Sequence, residues 1–276
     1  MPLKIILIHP PIAKCSEPPA GIAKLYACLN ANDIHHEIID ANLEGILYLL
    51  QHASNNNTTT DRWTMRAVKN LKHNLVALQD IATYRSLSRY QRAVMDINHL
   101  LNVAGKSRRV DLSLADYRDQ CLSPVKSANL MSAAEKPQAN PFYPYFQHRL
   151  MNALEENTDF IGFSLNYLSQ ALCTFAMIGF IKQIQPRQKI ILGGSLVTSW
   201  IKLGARKNLF YGLVDEMVAG AGEQKLLELL EVKDDLTNYP PDYDDFSIDQ
   251  YLSPGLILPY SSARGCYWHK CAFCPE

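Results

Sequence analysis

Phe160-Ile-Gly-Phe-Ser-Leu165, an apolar stretch over residues 170–184 closed by Pro186, and Lys189-Ile-Ile-Leu-Gly-Gly194 follow one another directly. The two short runs are rich in β-branched and aromatic residues and lack polar alternation. That is the pattern of strands buried on both faces of a parallel sheet. The stretch between them has helical length, so the whole reads as strand, crossover helix, strand.

The alternation extends in both directions. Downstream, residues 196–207 read as a helix, 213–218 as a strand and 223–230 as another helix. Upstream, Lys4-Ile-Ile-Leu-Ile-His9 is a short apolar run closed by Pro10 and Pro11. Residues 21–29 then place Ile22, Leu25, Tyr26 and Leu29 on one helical side, and residues 36–39 form a strand ending at Asp40. Strands alternating with helices of this length predict an α/β fold: a doubly wound, mostly parallel, five-stranded Rossmann-like sheet.

Residues 44–157 interrupt this pattern as a helical insertion. Val68, Leu71, Leu75 and Leu78 recur at helical spacing, as do Leu87, Tyr90, Val94 and Ile97, which predicts two amphipathic helices. Residues 55–60 are a polar loop, and residues 123–144, rich in Pro, Ser, Ala and Asn, read as irregular. The insertion is either a lid over a ligand or decoration of the fold, with decoration the favoured reading.

Lysine plus arginine and aspartate plus glutamate balance at 27 each, which argues against a nucleic-acid partner or an anionic membrane surface. The longest near-apolar stretch, residues 171–181, is about half of what a bilayer requires. The N-terminal residues lead straight into a strand, without a secretory signal. Seven cysteines, three of them crowded into one loop, fit a reducing, cytoplasmic compartment better than a disulfide framework.

Past residue 232 the composition changes. Residues 233–254, with an Asp- and Pro-rich start, read as a linker. Leu256-Ile-Leu-Pro-Tyr260 then reads as the first strand of a second domain, over residues 255–276. It delivers a loop holding Cys266, Cys271 and Cys274. Three thiols in one loop grip a soft metal centre and leave a coordination position open, a catalytic arrangement.

Ser261-Ser-Ala-Arg-Gly-Cys266, with Cys271, Phe273 and Cys274, resembles the cluster loop of the radical S-adenosylmethionine (SAM) enzymes. Residues 1–232 resemble the cobalamin-binding domain that precedes the barrel in one large subgroup. The matching pieces are Ile8-His9-Pro10-Pro11, Asn140-Pro-Phe-Tyr143, Phe160-Ile-Gly-Phe-Ser164, Gly193-Gly194, and Val214-Asp215 leading into Gly220-Ala-Gly-Glu223. Four residues separate Cys266 from Cys271 where the family has three.

The resemblance implies that the three thiolates hold three irons of a 4Fe-4S cluster, whose fourth iron takes the amino and carboxylate groups of SAM. Electron transfer into the sulfonium then yields a 5′-deoxyadenosyl radical. Phe273 occupies the family's aromatic position beside the last thiol, shielding the cluster. The implied reaction is radical methyl transfer or a rearrangement by an anaerobic, cytosolic enzyme. Residues 255–276 would be only the start of its barrel, so this chain is expected to be inactive without the missing barrel half. A zinc knuckle using His269 competes for the thiols, but the usual Cys-x2-Cys pair with a distant second pair is absent.

In an open parallel sheet, ligands bind beyond the C-terminal strand ends. The candidates there are His9 and Pro10, Ser164 and Asn166, Gly193, Gly194 and Ser195, and Gly220, Gly222 and Glu223. Glycines permit close backbone approach, and hydroxyl and amide groups suit the amide rim of cobalamin. His9 reads as a hydrogen-bonded, strand-closing residue rather than a cobalt ligand. The Asp-x-His-x-x-Gly signature is missing, because Asp33-Ile-His35 lacks its glycine. No glycine follows the first strand until Gly21, which disfavours a dinucleotide. Two other readings stay open: a non-enzymatic corrinoid carrier or sensor, and an empty structural α/β module.

Overall fold

The computed structural model describes residues 4–55, 61–154, 158–204, 209–233, 238–259, 266–268 and 270–271. The chain begins with β1 (Lys4–Ile8), α1 (Ala20–Ala31) and β2 (His35–Ile39). The insertion follows as α2 (Ala41–Asn55), α3 (Arg62–Gln79), α4 (Leu87–Lys106), a hairpin of β3 (Val110–Leu112) and β4 (Tyr117–Asp119), and α5 (Ser127–Glu135). The α/β pattern then resumes with β5 (Phe160–Ser164), α6 (Leu168–Ile184), β6 (Lys189–Gly193), α7 (Ser195–Lys202), β7 (Glu216–Met217) and α8 (Glu223–Leu229).

Five strands form one parallel sheet in the order β2-β1-β5-β6-β7. The chain winds outward from β1 to β2, then returns past β1 to continue from β5 the other way. The switch point therefore lies between β1 and β5. Side chains alternate as strand geometry demands. Ile5 and Leu7 pack with Ile22, Ala23 and Leu29 of α1 and Leu226 of α8. Ile6, Ile8, Ile161 and Phe163 enter the larger core on the opposite face.

That opposite face explains the composition of α6. Every residue from 170 to 181 is buried, so the helix has no polar stripe. It lies between the sheet and the insertion, which forms a further layer upon it. Gly179 permits the closest approach: a Cβ there would sit 1.9 Å from the carbonyl oxygen of Ala134 in α5. Beside it, buried Asn140 donates to the Tyr117 hydroxyl at 3.2 Å and contacts the Cys173 thiol. Phe142, Phe146 and Phe175 are fully buried in this core, and each such burial contributes roughly 1.5–3 kcal/mol.

Several expectations change. Residues 123–144 are not wholly irregular, since α5 lies between Pro124 and Pro137. The helix expected over 196–207 ends at Lys202, where Gly204 takes a φ of +112° and donates to the carbonyl of Ile201. The strand expected over 213–218 keeps two residues, because the amides of Leu213 and Val214 turn back onto the carbonyl of Phe210.

Residues 238–254, read as linker, form a strap docked on the domain. Tyr239, Phe246, Tyr251 and Leu252 are buried, and the amide of Leu252 donates to the carbonyl of Cys15 at 2.7 Å. The aromatic residues among its aspartates and prolines supply the apolar surface that holds it. Residues 256–259, expected to begin the barrel, form no strand, and Leu256, Ile257 and Leu258 are exposed. No helix among the described residues is long and apolar enough to cross a membrane.

Candidate functional site

The C-terminal ends of the strands form two unlike halves. Over β1 and β2 the edge is closed. Asp40 caps α2 by accepting from the amide of Leu43 at 3.1 Å, and Tyr251 of the strap donates its hydroxyl to the same carboxylate. Asn42 accepts from the amide of Ala13 at 2.8 Å, holding the loop after β1.

Over β5, β6 and β7 the edge is open and polar. The side chain of Asn166 donates to Ser164 Oγ at 3.1 Å and accepts from the amide of Ser195 at 3.0 Å. Ser195 Oγ donates to the Asn166 carbonyl at 3.1 Å. Gly194 makes this union possible. Its φ is +108°, and a Cβ would lie 2.3 Å from the Leu165 carbonyl oxygen. Thr198 Oγ1 donates to the Gly194 carbonyl and accepts from the amide of Gly220, both at 2.9 Å, drawing the loop after β7 to the others. Tyr167 and Leu168 stand exposed beside this shelf.

Gln170 joins the halves. Its Oε1 accepts from the amides of Asn166 and Tyr167, while its Nε2 donates to the carbonyl of Pro10 at 2.7 Å. The switch point is thereby fixed by a fully buried side chain that the sequence reading passed over. Its signal was there, since a glutamine at the third position of a helix is a capping residue.

His9 follows β1, one step beyond the paired residues Ile8 and Phe163, which puts it next to Ser164 across the switch point. The ring is 6% exposed, and its Nδ1 has no hydrogen-bond partner. This departs from the expectation of a hydrogen-bonded structural histidine. Burial lowers its pKa against a smaller opposing pull from Asp40, so the imidazole is held neutral. An orphaned nitrogen of this kind in a buried site calls for an explanation.

Of the predicted edge residues, the structure brings together His9, Pro10, Ser164, Asn166, Gly193, Gly194, Ser195 and Gly220. Gly222 and Glu223 belong to the α1 side. A Cβ on Gly222 would meet Leu25 at 3.4 Å, and the Glu223 carbonyl receives the Cys28 thiol at 3.9 Å.

Of the cluster loop, Cys266 is half-buried and Cys271 exposed, while Phe273 and Cys274 lie outside the described residues. The ammonium of Lys270 lies 5.3 Å from the ring centre of Trp268. Among the described residues no group of three His, Cys, Asp or Glu side chains is placed to hold a metal ion. Cys15, Cys28 and Cys173 are buried thiols, and burial raises the pKa of Cys15 and Cys173, leaving them inert packing groups.

No protein-family model matches the chain, and no curated protein or solved structure is significantly similar to it.

Proposed function

We propose that the chain is the N-terminal part of a cobalamin-dependent-type radical SAM enzyme. In this reading a corrinoid lies on the open strand edge, and Cys266, Cys271 and Cys274 hold a 4Fe-4S cluster. The observation that carries the corrinoid half is the orphaned Nδ1 of His9 at the switch point, beside a glycine-floored polar shelf. The donor set fits a cofactor with a rim of amides. Ser164, Asn166 and Ser195 offer hydroxyl and amide groups, and Gly194, packed against the Leu165 backbone, holds Ser195 beside Asn166. The cluster half rests on the three thiols and their spacing.

When bound, these groups supply SAM cleavage at the cluster and methyl transfer at cobalt. The chain's own contribution is positional. Gln170 and Asn166 lock the loops after β1, β5 and β6 into one surface, and His9, its pKa lowered by burial, presents an unpartnered neutral imidazole nitrogen. The strap closes the β2 side of the edge through Tyr251 and Leu252, which leaves a ligand the switch point and the β5–β7 half. A corrinoid carrier without a cluster is the second reading. Among the described residues, the cores of the sheet domain contain none of the cysteine loop.

Anaerobic reconstitution with iron, sulfide and hydroxocobalamin, followed by desalting and metal analysis, tests both halves. About one cobalt and about four irons per chain are expected, with iron lost and cobalt kept in Cys271→Ala. Cobalt without iron selects the carrier. Retention of neither metal overturns the proposal.

A further inference from the structure

We infer that the first turn of α1, with His9 and Ser164, forms a seat for an oxyanion at the switch point between β1 and β5. The group it takes is a phosphoryl group, with three or more oxygens to share among several donors.

Helix α1 runs for twelve residues and opens after Pro18 and Pro19 without a side-chain cap. Ala23 donates to the Pro19 carbonyl at 3.0 Å, whereas the amides of Ala20, Gly21 and Ile22 find no acceptor among the described residues. Three free N–H groups at the positive end of a helix dipole are an anion's natural partners. Glu17, the acid closest in sequence, instead accepts from the hydroxyl of Ser16, and Asp40 on the β2 side is held by Leu43 and Tyr251. The strap meets this turn through the amide of Asp242, which donates to the Ala23 carbonyl at 3.2 Å. Lys14 and Lys24 add positive charge to the same loop and turn.

The second observation is independent of the helix. His9 is buried, and its Nδ1 has no partner. Ile5 and Leu7 point to the α1 face of the sheet and pack on Ile22 and Ala23, so His9, next in that alternation, points beneath the first turn of α1. Ser164 arrives from β5 on the same side. Gly21 leaves room between helix and strand: a Cβ added there would have one neighbour within 4 Å, Ser164 Oγ at 3.7 Å. Helix amides, imidazole and hydroxyl thus surround one small space that a side chain at position 21 would fill.

Two sources of a phosphoryl group share this chemistry: a free phosphorylated molecule, and the phosphodiester in the tail of a corrinoid. The second source rests on the function proposed above, and the two are separable. Calorimetric titration of the full chain with inorganic phosphate at low ionic strength comes first. Saturable binding of about one phosphate per chain is expected, weakened at least about tenfold by Gly21→Val and less by Gly21→Ala. Both substitutions fall at an exposed position with ordinary backbone angles, and circular dichroism checks that each variant is folded. His9→Phe should weaken phosphate in the same way. Absence of binding overturns the seat. So does binding that survives Gly21→Val unchanged, which would mark an adventitious ion only.

The second arm compares hydroxocobalamin with cobinamide, which lacks the phosphodiester tail. Tighter binding of hydroxocobalamin, competed by phosphate and lost in Gly21→Val, supports the corrinoid source. Phosphate binding with no binding of either corrinoid supports the seat for a free phosphorylated ligand and overturns the corrinoid reading. Equal, uncompeted binding of both corrinoids with no phosphate binding overturns the seat and leaves the corrinoid reading standing.

Discussion

The two faces of the sheet are covered in different ways. On one, α6 is buried on all sides beneath the insertion, so two layers of helix lie over the strands. On the other, α1, α8 and the strap residues Tyr243, Phe246 and Ile248 form a single layer, and α1 keeps an uncapped first turn at the sheet edge. The thick face is built from large apolar side chains and close backbone contact. The thin face carries the orphaned polar groups. In the proposed reading, ligand chemistry falls on the side of the sheet opposite the thick apolar core, and the insertion is a layer packed over α6.

Breaking the thick face should cost most. Gly179→Val drives a side chain into the backbone of Ala134, which cannot rotate aside, and should destabilise the chain by about 3 kcal/mol or more. Urea denaturation reads this directly, and an unchanged midpoint would show that α5 does not press on α6. On the strap side, Tyr251→Phe removes one hydrogen bond to Asp40 and should cost only about 1 kcal/mol. Proteolysis between residues 238 and 254 should accelerate before global stability changes, because the strap is the part released.

The smallest effect belongs to the outermost helix. Asp61 caps α3 by accepting from the amide and hydroxyl of Thr64 and from the amide of Trp63, which pulls its pKa down to about 2. A carboxylate with a depressed folded-state pKa stabilises above its unfolded value of about 3.9, and that stability is lost as pH falls toward about 2. Asp61→Ala should therefore lower stability slightly at neutral pH and flatten its decline between those pH values. A decline as steep as in the parent chain would assign it to other carboxylates.

The strands were legible because β1, β5 and β6 are buried on both faces and their sequences need no alternation to be read. The amphipathic α3 and α4 were legible for the opposite reason, having one polar side. Missed elements gave no comparable signal. The hairpin of β3 and β4 pairs three residues with three, too few to establish a period. Helix α5 is short, rich in serine and alanine, and bounded by prolines. The strap is acidic, and its aromatic residues follow no regular spacing, so it resembled a linker.

At the site, the glycine and hydroxyl positions at strand ends could be named in advance. Their partnerships could not. His9 meets Ser164 because β1 lies beside β5 in the sheet, and Gln170 reaches Pro10 across the same junction. Both contacts depend on strand order, which no local stretch of sequence encodes. The register of α1 over Ser164 likewise gives Gly21 a meaning that its sequence neighbours do not.

The sheet's outer strands carry a consequence for self-association. On one side, β7 contributes only two residues. On the other, β2 begins at exposed His35 and holds Glu37 in an ion pair with Arg149 at 2.8 Å. A brief strand and a charged one make poor templates for a further strand, the means by which natural sheets avoid growing edge to edge. A domain whose central strands are as apolar as β1 can therefore remain dispersed at high concentration.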